Sequence, residues 1–190
     1  MILSHQSIAE WTINNCVPTD SKYINPSSID LTISDRVRVL KYDTYPLWRK
    51  VKDRLFPPFV VNKKINPDLL WSEEKTFKKF ILYPWKLALF SSVEYTTIPD
   101  NLCGILFSKS SVGRIGLEHL HSGFGDAGFS GNWTFELLNV LPYPIEITAG
   151  ETLLQLVLLT LDKTTDVSYR EVGRYNGQVG PTAHRVREEK

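Results

Sequence analysis

The densest group of chemically capable side chains in this chain lies between positions 109 and 116. The run Lys109-Ser110-Ser111-Val112-Gly113-Arg114-Ile115-Gly116 combines two cations, two hydroxyls and two glycines. Ammonium, guanidinium and hydroxyl groups donate hydrogen bonds to phosphate oxygens, and glycine lets a ligand approach the backbone closely. The run therefore predicts a polyphosphate site. The alternative is a solvated turn, since the residue order is not that of a Walker loop.

A second feature is Glu136, a lone carboxylate in the apolar stretch from Trp133 to Val140. Alternation along a strand puts Phe135 and Leu137 on one face and Glu136 on the other. Both faces are largely apolar, so the sequence predicts a strand buried on both sides. A carboxylate there can take up and return a proton. The alternative is a structural glutamate paired with a buried arginine or hydroxyl.

A glycine-rich turn lies between these two features. Its sequence is Gly123-Phe124-Gly125-Asp126-Ala127-Gly128-Phe129. An aspartate between glycines is most often a turn residue. Beside a phosphate site, Asp126 could instead orient a sugar hydroxyl or a water molecule.

Histidine and cysteine patterns give no metal site. The histidines are His5, His119, His121 and His184. Neither HExxH nor H-x-E followed by P-C-x-x-C occurs in the sequence, and these are the patterns of two kinds of zinc enzyme. His119 and His121 would share one face of a strand, but without a third ligand they are expected to be ordinary polar positions.

Bulk composition is that of a globular protein, with 42% hydrophobic and 23% charged residues among 190. The net charge of +1 gives no broad nucleic-acid footprint. No apolar run is long enough to cross a membrane, and no signal peptide is evident. Cys16 and Cys103 form no CxxC motif, which favours a reducing, cytoplasmic location.

A short helix is predicted near the N-terminus. Residues 4–13 place Ile8 and Trp11 on one side, with Ser7 and Glu10 spaced as a capping box. The alternative is a polar N-terminal turn. Residues 41–75 carry four prolines among aromatics and lysines and predict a long irregular excursion with one short strand, Phe59-Val60-Val61.

Short strands separated by proline and glycine dominate the rest of the chain. They are predicted within residues 31–39, 80–83, 93–97, 103–107, 133–140, 145–147 and 152–161. This spacing predicts a mostly β sandwich or barrel, as a single domain over residues 1–190. Residues 170–190 form a polar, glycine-rich C-terminal tail. The tail is either a flap that orders over a ligand or a disordered end, and composition alone favours disorder.

These motifs, in this order, resemble the dCTP deaminase branch of the dUTPase superfamily. The matching segments are Asn25-Pro26-Ser27-Ser28-Ile29-Asp30-Leu31, Phe80-Ile81-Leu82-Tyr83-Pro84, Ile98-Pro99-Asp100-Asn101-Leu102, residues 109–155, Arg174-Tyr175-Asn176-Gly177-Gln178 and Gly180-Pro181-Thr182. The resemblance implies a distorted dUTPase-like β-barrel with a C-terminal flap. It also implies a homotrimer with sites at the subunit interfaces, and deamination without zinc. Magnesium would be bound with the triphosphate, and neither nucleic acid nor membrane would be a partner.

The resemblance also implies a role for each matching residue. Glu136 would be the general base and acid, while Ser110 and Arg114 would position the attacking water and the cytosine ring. Asp126 would meet the deoxyribose. The wider nucleotide-binding set would be Lys109, Ser111, Val112, Gly113, Thr134, Phe135, Gln155, Tyr169, Arg174 and Gln178, with Thr134 and Phe135 lining the base pocket and Arg174 and Gln178 closing from the flap.

Glu136 distinguishes the two branches of the superfamily, since plain dUTPases typically lack a glutamate at this strand position. Its presence favours deamination of dCTP to dUTP and ammonia, in pyrimidine deoxynucleotide metabolism. The turn around Phe124 is more similar to the bifunctional, dUMP-forming type, in which Asp126 also serves the attack on phosphate. The alternatives are a dUTPase without deaminase activity and a non-catalytic nucleotide-binding regulator. The family's usual feedback regulator is dTTP.

The chain departs from the family pattern at three places near the expected nucleotide. Gly125 replaces a bulky aliphatic residue, Trp85-Lys86 replaces Gly-Glu after Pro84, and Arg174 replaces the usual lysine. Arginine and lysine are not equivalent at a phosphate. A monophosphate or a modified cytosine nucleotide therefore stays open as a substrate.

Overall fold

The computed structural model describes residues 1–41 and 70–185, which form mostly antiparallel strands. The strands are β1 (Cys16–Val17), β2 (Ile29–Val39), β3 (Lys75–Thr76), β4 (Lys79–Leu82), β5 (Leu87–Thr97), β6 (Leu102–Ser108), β7 (Leu117–His119), β8 (Phe124–Gly125), β9 (Ser130–Asn139), β10 (Ile145–Thr148) and β11 (Thr152–Thr160). The helices are α1 (His5–Asn15), α2 (Ser110–Gly113) and α3 (Tyr169–Val172), with a 3-10 turn at Ser21–Tyr23. The mostly β class is confirmed.

Helix α1 is present, but it begins earlier than its predicted capping box requires. Ser4 is the N-cap residue, and its side chain makes no capping hydrogen bond. The prediction that Ser7 and Glu10 form a capping box is therefore wrong, because both lie inside the helix. Ile8 and Trp11 are buried at 0% and 6% exposure, which confirms the predicted apolar face.

The strands of the described residues form one curled sheet and a separate pair. The sheet order is β7-β9-β5-β2-β11-β6-β8, with β1 beside β5 and β3 beside β2, while β4 pairs with β10. Strand β2 joins the two halves of the sheet: residues 29–32 pair with β11 and residues 33–39 pair with β5. A strand that changes partner along its length turns a corner, so the sheet curls around the core.

Aromatic side chains fill the core beneath β5 and β9. Phe90 and Phe135 face each other across these strands, and both are fully buried. Phe77 and Phe80 pack edge-to-face on Phe90, with ring centroids 5.6 and 5.4 Å away. Such edge-to-face contacts add to the apolar burial and hold β5 and β9 in a fixed register.

The two faces of β9 differ in burial. One face is buried and carries Trp133, Phe135, Leu137 and Asn139, whereas the other is partly exposed and carries Thr134, Glu136 and Leu138. The prediction that this strand is buried on both sides is therefore wrong for the described chain. Glu136 lies on the partly exposed face, where a ligand can reach it.

Trp133 explains one of the departures from the family pattern. A Cβ built on Gly125 would lie 2.2 Å from Cη2 of Trp133. The indole Nε1 donates to Oγ1 of Thr96 at 2.9 Å, which fixes the ring in this position. Glycine is needed at position 125 because the tryptophan ring occupies the space of a side chain.

A second departure lies in the turn after β4. Trp85 has φ of 61°, a left-handed conformation that favours glycine. The N–H of Lys86 donates to the carbonyl of Tyr83 at 3.2 Å, so Pro84 and Trp85 are the central turn residues. Proline followed by glycine is the usual sequence for such a turn, and here tryptophan takes the strained position.

Residues 178–182 of the C-terminal tail lie along β9. Gln178 pairs in parallel with Gly131, is buried, and donates through Nε2 to the carbonyl of Asn132 at 2.7 Å. The N–H of Thr182 donates to Oγ1 of Thr134 at 3.2 Å. Composition favours disorder for this segment, but a backbone carbonyl and a side-chain hydroxyl of β9 give it hydrogen-bond partners that composition does not encode.

Some sequence predictions concern residues that the structure does not describe. The predicted strand Phe59-Val60-Val61 and residues 42–69 of the predicted excursion lie outside the described residues. After this segment Trp71 is buried and forms a bridge with Leu40. Among the described residues, no helix has both the length and the hydropathy needed to span a membrane.

Candidate functional site

Glu136 lies against a buried histidine. Oε2 of Glu136 is 3.1 Å from Nε2 of His119, and the two side chains are 24% and 2% exposed. The pair meets the distance of a hydrogen bond but not its angles, and within the described residues neither atom has another hydrogen-bond partner. The N–H of His119 donates to Oγ of Ser108 at 3.1 Å, which fixes the end of β7 behind the carboxylate.

A cavity of about 470 Å³ opens in front of Glu136; we call it the Glu136 cavity. Its size is within the range of small-molecule sites. Five residues of the predicted site line it, and they come from the glycine turn, β9, α3 and the tail: Asp126, Thr134, Glu136, Tyr169 and Gln178. The structure thus brings Glu136 and Asp126 together with one of the two expected base-pocket residues, Thr134, and one of the two expected flap residues, Gln178.

The tail closes one side of the Glu136 cavity. Tyr175, Thr182 and His184 line it together with Gln178. The hydroxyl of Tyr169 accepts a hydrogen bond from the N–H of Tyr175 at 3.3 Å, which ties α3 to the tail. Because this wall belongs to the tail, a movement of the tail would change the shape of the Glu136 cavity.

Phe135 takes a different position from the one expected. Its side chain is fully buried in the core, on the face of β9 opposite to Thr134 and Glu136. The side chain therefore does not line the Glu136 cavity. Any part that Phe135 has in the site would be through its backbone.

A second group of predicted site residues lines another cavity, of about 480 Å³, which we call the Arg114 cavity. Five predicted residues line it: Lys109, Ser110, Ser111, Arg114 and Gln155. Motif residues 25–28 and Asp30 complete its walls. The predicted phosphate residues are therefore grouped together, but on one chain they do not share a cavity with Glu136.

Lys109 is already paired within this second cavity. Its Nζ contacts Oδ2 of Asp30 and lies 3.2 Å from Oγ1 of Thr152. Asp30 is 8% exposed and also accepts from Nδ2 of Asn25 at 2.8 Å. Arg114 has no ion pair among residues 1–41 and 70–185. Arg114 is thus the cation that the cavity leaves available to an anion.

Two residues of the 109–116 run have structural positions. Val112 is 6% exposed and belongs to the main core, so its side chain is not available to a ligand. Gly113 ends α2, and a Cβ there would meet nothing nearer than 3.5 Å. Neither residue therefore offers a polar side-chain atom to a ligand.

Arg174 stacks with a second arginine on one tyrosine. The guanidinium carbons of Arg174 and Arg185 lie 5.9 and 5.8 Å from the ring centroid of Tyr175. Each guanidinium donates to the backbone carbonyl of the other arginine, at 3.2 and 2.5 Å. These contacts close residues 174–185 into a loop beside the Glu136 cavity. Arg185 was not singled out by its sequence, since it lies in a basic tail without a motif.

Thiol chemistry near the site is disfavoured. Burial raises the pKa of the Cys103 thiol, and the nearby Asp126 carboxylate raises it further. Burial raises the pKa of Cys16 to about 12, with a smaller contribution from Glu94. Thiols with raised pKa values are poor nucleophiles near neutral pH.

His119 is the functional candidate that the sequence reasoning missed. Its spacing from His121 indicates only a shared strand face, and its contact with Glu136 depends on the pairing of β7 with β9. No group of three or more His, Cys, Asp or Glu residues that could hold a metal ion occurs in the described part of the chain.

The curled sheet and its flanking cavities define the class to which the protein belongs, a mostly β fold of the dUTPase-like type. A solved 2'-deoxycytidine 5'-triphosphate deaminase from Agrobacterium tumefaciens shares this fold, with a TM-score of 0.61 and 16% identity over 84% of the present chain. The chain spans about half, 48%, of that protein's length.

Sequence comparisons identify the family. The profile of the dCTP deaminase-like family matches residues 2–161. A protein of Sulfurihydrogenibium sp. named dCTP deaminase, dUMP-forming, is 33% identical over 189 residues, which cover 98% of this chain and 97% of that protein. A protein of the same name from Streptomyces griseus is 38% identical over 173 residues, with coverages of 88% and 84%. The chain belongs to the dCTP deaminase-like family.

Proposed function

We propose that this protein deaminates dCTP and carries the product on to dUMP. The observation that carries the proposal is the position of Glu136, half-enclosed by His119 and open to the Glu136 cavity. The two relatives named dCTP deaminase, dUMP-forming, cover nearly the whole chain. Their name supports the same activity here.

In the proposed deamination, Glu136 takes a proton from a water molecule as the water oxygen bonds to C4 of cytosine, the C4–N3 double bond opens, and N3 takes up that proton. The new C4 hydroxyl then passes its proton through Glu136 to the amino nitrogen, the bond from C4 to that nitrogen breaks, C4=O forms, and ammonia leaves. A positioned carboxylate can move protons in both directions without a metal. His119, which lies behind Glu136, would hold the carboxylate in place.

The proposal includes a homotrimer with the site between subunits. It is supported by the separation of the predicted residues into the Glu136 cavity and the Arg114 cavity on one chain. Catalysis on a triphosphate needs both sets near one nucleotide. A neighbouring copy that brings its Ser110 and Arg114 to the Glu136 cavity would supply them.

The second reaction would be the hydrolysis of dUTP to dUMP and pyrophosphate. Asp126 lines the Glu136 cavity from the glycine turn and would orient the water that attacks the phosphate. Magnesium would come with the triphosphate, and its ligands would be phosphate oxygens and water. We place the protein in a reducing cytoplasm, since Cys16 and Cys103 are both free.

The test is to incubate the protein with dCTP or dUTP and magnesium, and to measure ammonia and separate the nucleotides by chromatography. We expect dCTP to yield ammonia and dUMP. Glu136→Gln should lower ammonia release by a factor of about 100 or more, the usual contribution of a general base. Glu146→Gln is the matched control, because Glu146 lies on β10 in an exposed ion pair with Lys79.

Each other outcome points to a different function. Turnover of dUTP but not dCTP would mean a dUTPase without deaminase activity. Nucleotide binding without any turnover would mean a regulator. Ammonia release at the wild-type rate by Glu136→Gln would remove Glu136 from the chemistry.

A further inference from the structure

One wall of the Glu136 cavity is apolar. Leu70, Trp71 and Leu89 line it, and Trp71 and Leu89 are 7% and 4% exposed. With Ala183 of the tail they form an apolar cluster that is separate from the main core. No step of the proposed reaction uses this wall.

The wall lies directly beside the carboxylate. Leu89 of β5 is the cross-strand partner of Glu136 in β9. Side chains of directly opposed residues in an antiparallel pair point to the same face and touch. The immediate neighbour of Glu136 on the cavity side is therefore a leucine, and Trp71 extends the apolar surface.

The rest of the cavity lining is mixed. Thr134, Asp126 and Gln178 offer hydroxyl, carboxylate and amide atoms, while Phe124, Phe129 and Trp133 add aromatic surface. A ligand that fills the cavity therefore meets hydrogen-bonding groups as well as hydrocarbon. This lining suits a ring that has both a polar edge and an apolar edge.

The cytosine ring has two such edges at the reacting carbon. C4 lies between N3, which accepts a hydrogen bond, and C5, which carries only hydrogen. With C4 at Glu136, the edge that can face Leu89 and Trp71 without losing a hydrogen bond is C5, because an unpaired buried N3 would be unfavourable.

We propose that the wall formed by Leu70, Trp71 and Leu89 is a subsite for a substituent at C5, and that the enzyme takes 5-methyl-dCTP as well as dCTP. The inference rests on the proposed deamination. The chemistry is unchanged: the water oxygen bonds to C4, the C4–N bond breaks, ammonia leaves, and the product is a thymine nucleotide. The methyl group leaves water for an apolar surface, which is favourable.

The first test compares the two substrates with the wild-type enzyme. Ammonia release from dCTP and from 5-methyl-dCTP gives kcat/KM for each. We expect the value for 5-methyl-dCTP to equal or exceed that for dCTP, by up to roughly tenfold, the effect of one carbon in an apolar pocket. Turnover of dCTP with 5-methyl-dCTP slower by about tenfold or more would overturn the subsite and leave the proposed function intact. Turnover of neither would overturn both.

A pair of matched variants tests the wall itself. Leu89→Val removes one methylene from the cavity wall and should lower the ratio of kcat/KM for 5-methyl-dCTP to that for dCTP, by up to roughly tenfold. Leu87 lies on the same strand and packs on the same apolar cluster but does not line the Glu136 cavity. Leu87→Val should leave the ratio unchanged.

The ratio of kcat/KM for 5-methyl-dCTP to that for dCTP does not change when part of the protein is unfolded, because both values are measured on the same amount of folded enzyme. Equal ratios in wild type, Leu89→Val and Leu87→Val would show that the wall does not contact C5, and would overturn the proposal.

Discussion

Nε2 of His119 lies 3.1 Å from Oε2 of Glu136, behind the face of the carboxylate that opens to the Glu136 cavity. His119 is 4% exposed and does not line that cavity. It can therefore act on a reaction through Glu136, by orienting the carboxylate. His119 is a positioning residue by this geometry.

We expect His119→Leu to lower kcat for deamination by roughly tenfold, since losing a contact to a charged group removes about 1.5 kcal/mol or more. KM should change less, because His119 does not touch the ligand.

Two further variants separate positioning from folding. His119→Gln keeps a donor and should recover part of kcat. His121→Leu changes an exposed histidine nearby and should leave kcat unchanged. Changes in KM and kcat of equal size, with no recovery of kcat in His119→Gln, would mean that His119 serves only the fold.

The sequence predicted a functional role for Glu136 but not for His119, and the difference has a physical reason. A lone carboxylate in an alternating apolar strand is visible locally, because period-two alternation assigns each side chain to a face. The contact with His119 is made by pairing β7 with β9, and pairing between strands is not a local property. The exposure of the second face of β9 was missed for the same reason, since both faces are apolar in sequence.

The sequence predicts which residues belong to the site better than it predicts how they contact one another. The run from Lys109 to Gly116 gives a group of cations and hydroxyls, but it does not say which cation is already paired. Asp30 lies on β2 and meets Lys109 through the pairing of β2 with β11 and of β11 with β6. The tail is similar: glycine and polar residues predict no structure, whereas the backbone carbonyl and the side-chain oxygen of Asn132 in β9 provide its partners.

The ion pair of Lys109 with Asp30 predicts a structural role for the lysine. Lys109→Met should lower the free energy of unfolding by roughly 2 kcal/mol, between the values for exposed and fully buried pairs, because a mostly buried carboxylate loses its cation. The double variant Asp30→Asn with Lys109→Met should recover most of this loss. Urea unfolding at one protein concentration measures both.

The KM for dCTP distinguishes a structural role of Lys109 from a role in phosphate binding. Arg114→Met should raise KM for dCTP by roughly tenfold, the effect of one charged hydrogen bond, with little change in stability. The double variant at Asp30 and Lys109 should keep a KM near that of wild type. A KM as high as that of Arg114→Met would show that Lys109 also binds phosphate.

The contact between Gly125 and the ring of Trp133 predicts strong coupling between these positions. A Cβ at Gly125 would lie 2.2 Å from Cη2 of Trp133. Gly125→Ala should therefore destabilise the protein by roughly 1–3 kcal/mol through overpacking. Combining it with Trp133→Phe should give a smaller loss than the sum of the single losses, with a coupling of about 1 kcal/mol.

Gly113→Ala is the control for this cycle, because its Cβ would meet nothing nearer than 3.5 Å. Its effect should add to that of Trp133→Phe. Simple additivity for Gly125→Ala and Trp133→Phe would mean that the backbone moves to admit the methyl group, and that glycine at position 125 is not required by the tryptophan.

Glu94 should lower the free energy of unfolding as pH rises, whereas a carboxylate in an ion pair has the opposite effect. It is 4% exposed, and burial raises its pKa, while the N–H of Thr32, which donates to Oε2 at 2.9 Å, acts in the other direction. The folded protein therefore holds this proton more tightly than the unfolded chain. Stability is unaffected below the unfolded pKa and falls as pH rises through the folded pKa.

Glu94→Gln removes this ionisation and keeps an oxygen for the N–H of Thr32. Its free energy of unfolding, relative to wild type, should therefore increase over the pH range that begins at the ordinary glutamate pKa of 4.5. Urea unfolding at fixed protein concentration across this range measures the difference, and Glu146→Gln, at an exposed glutamate, should show no such increase. A difference that instead decreases as pH rises would mean that the folded protein stabilises the Glu94 carboxylate, and that the Thr32 hydrogen bond outweighs burial.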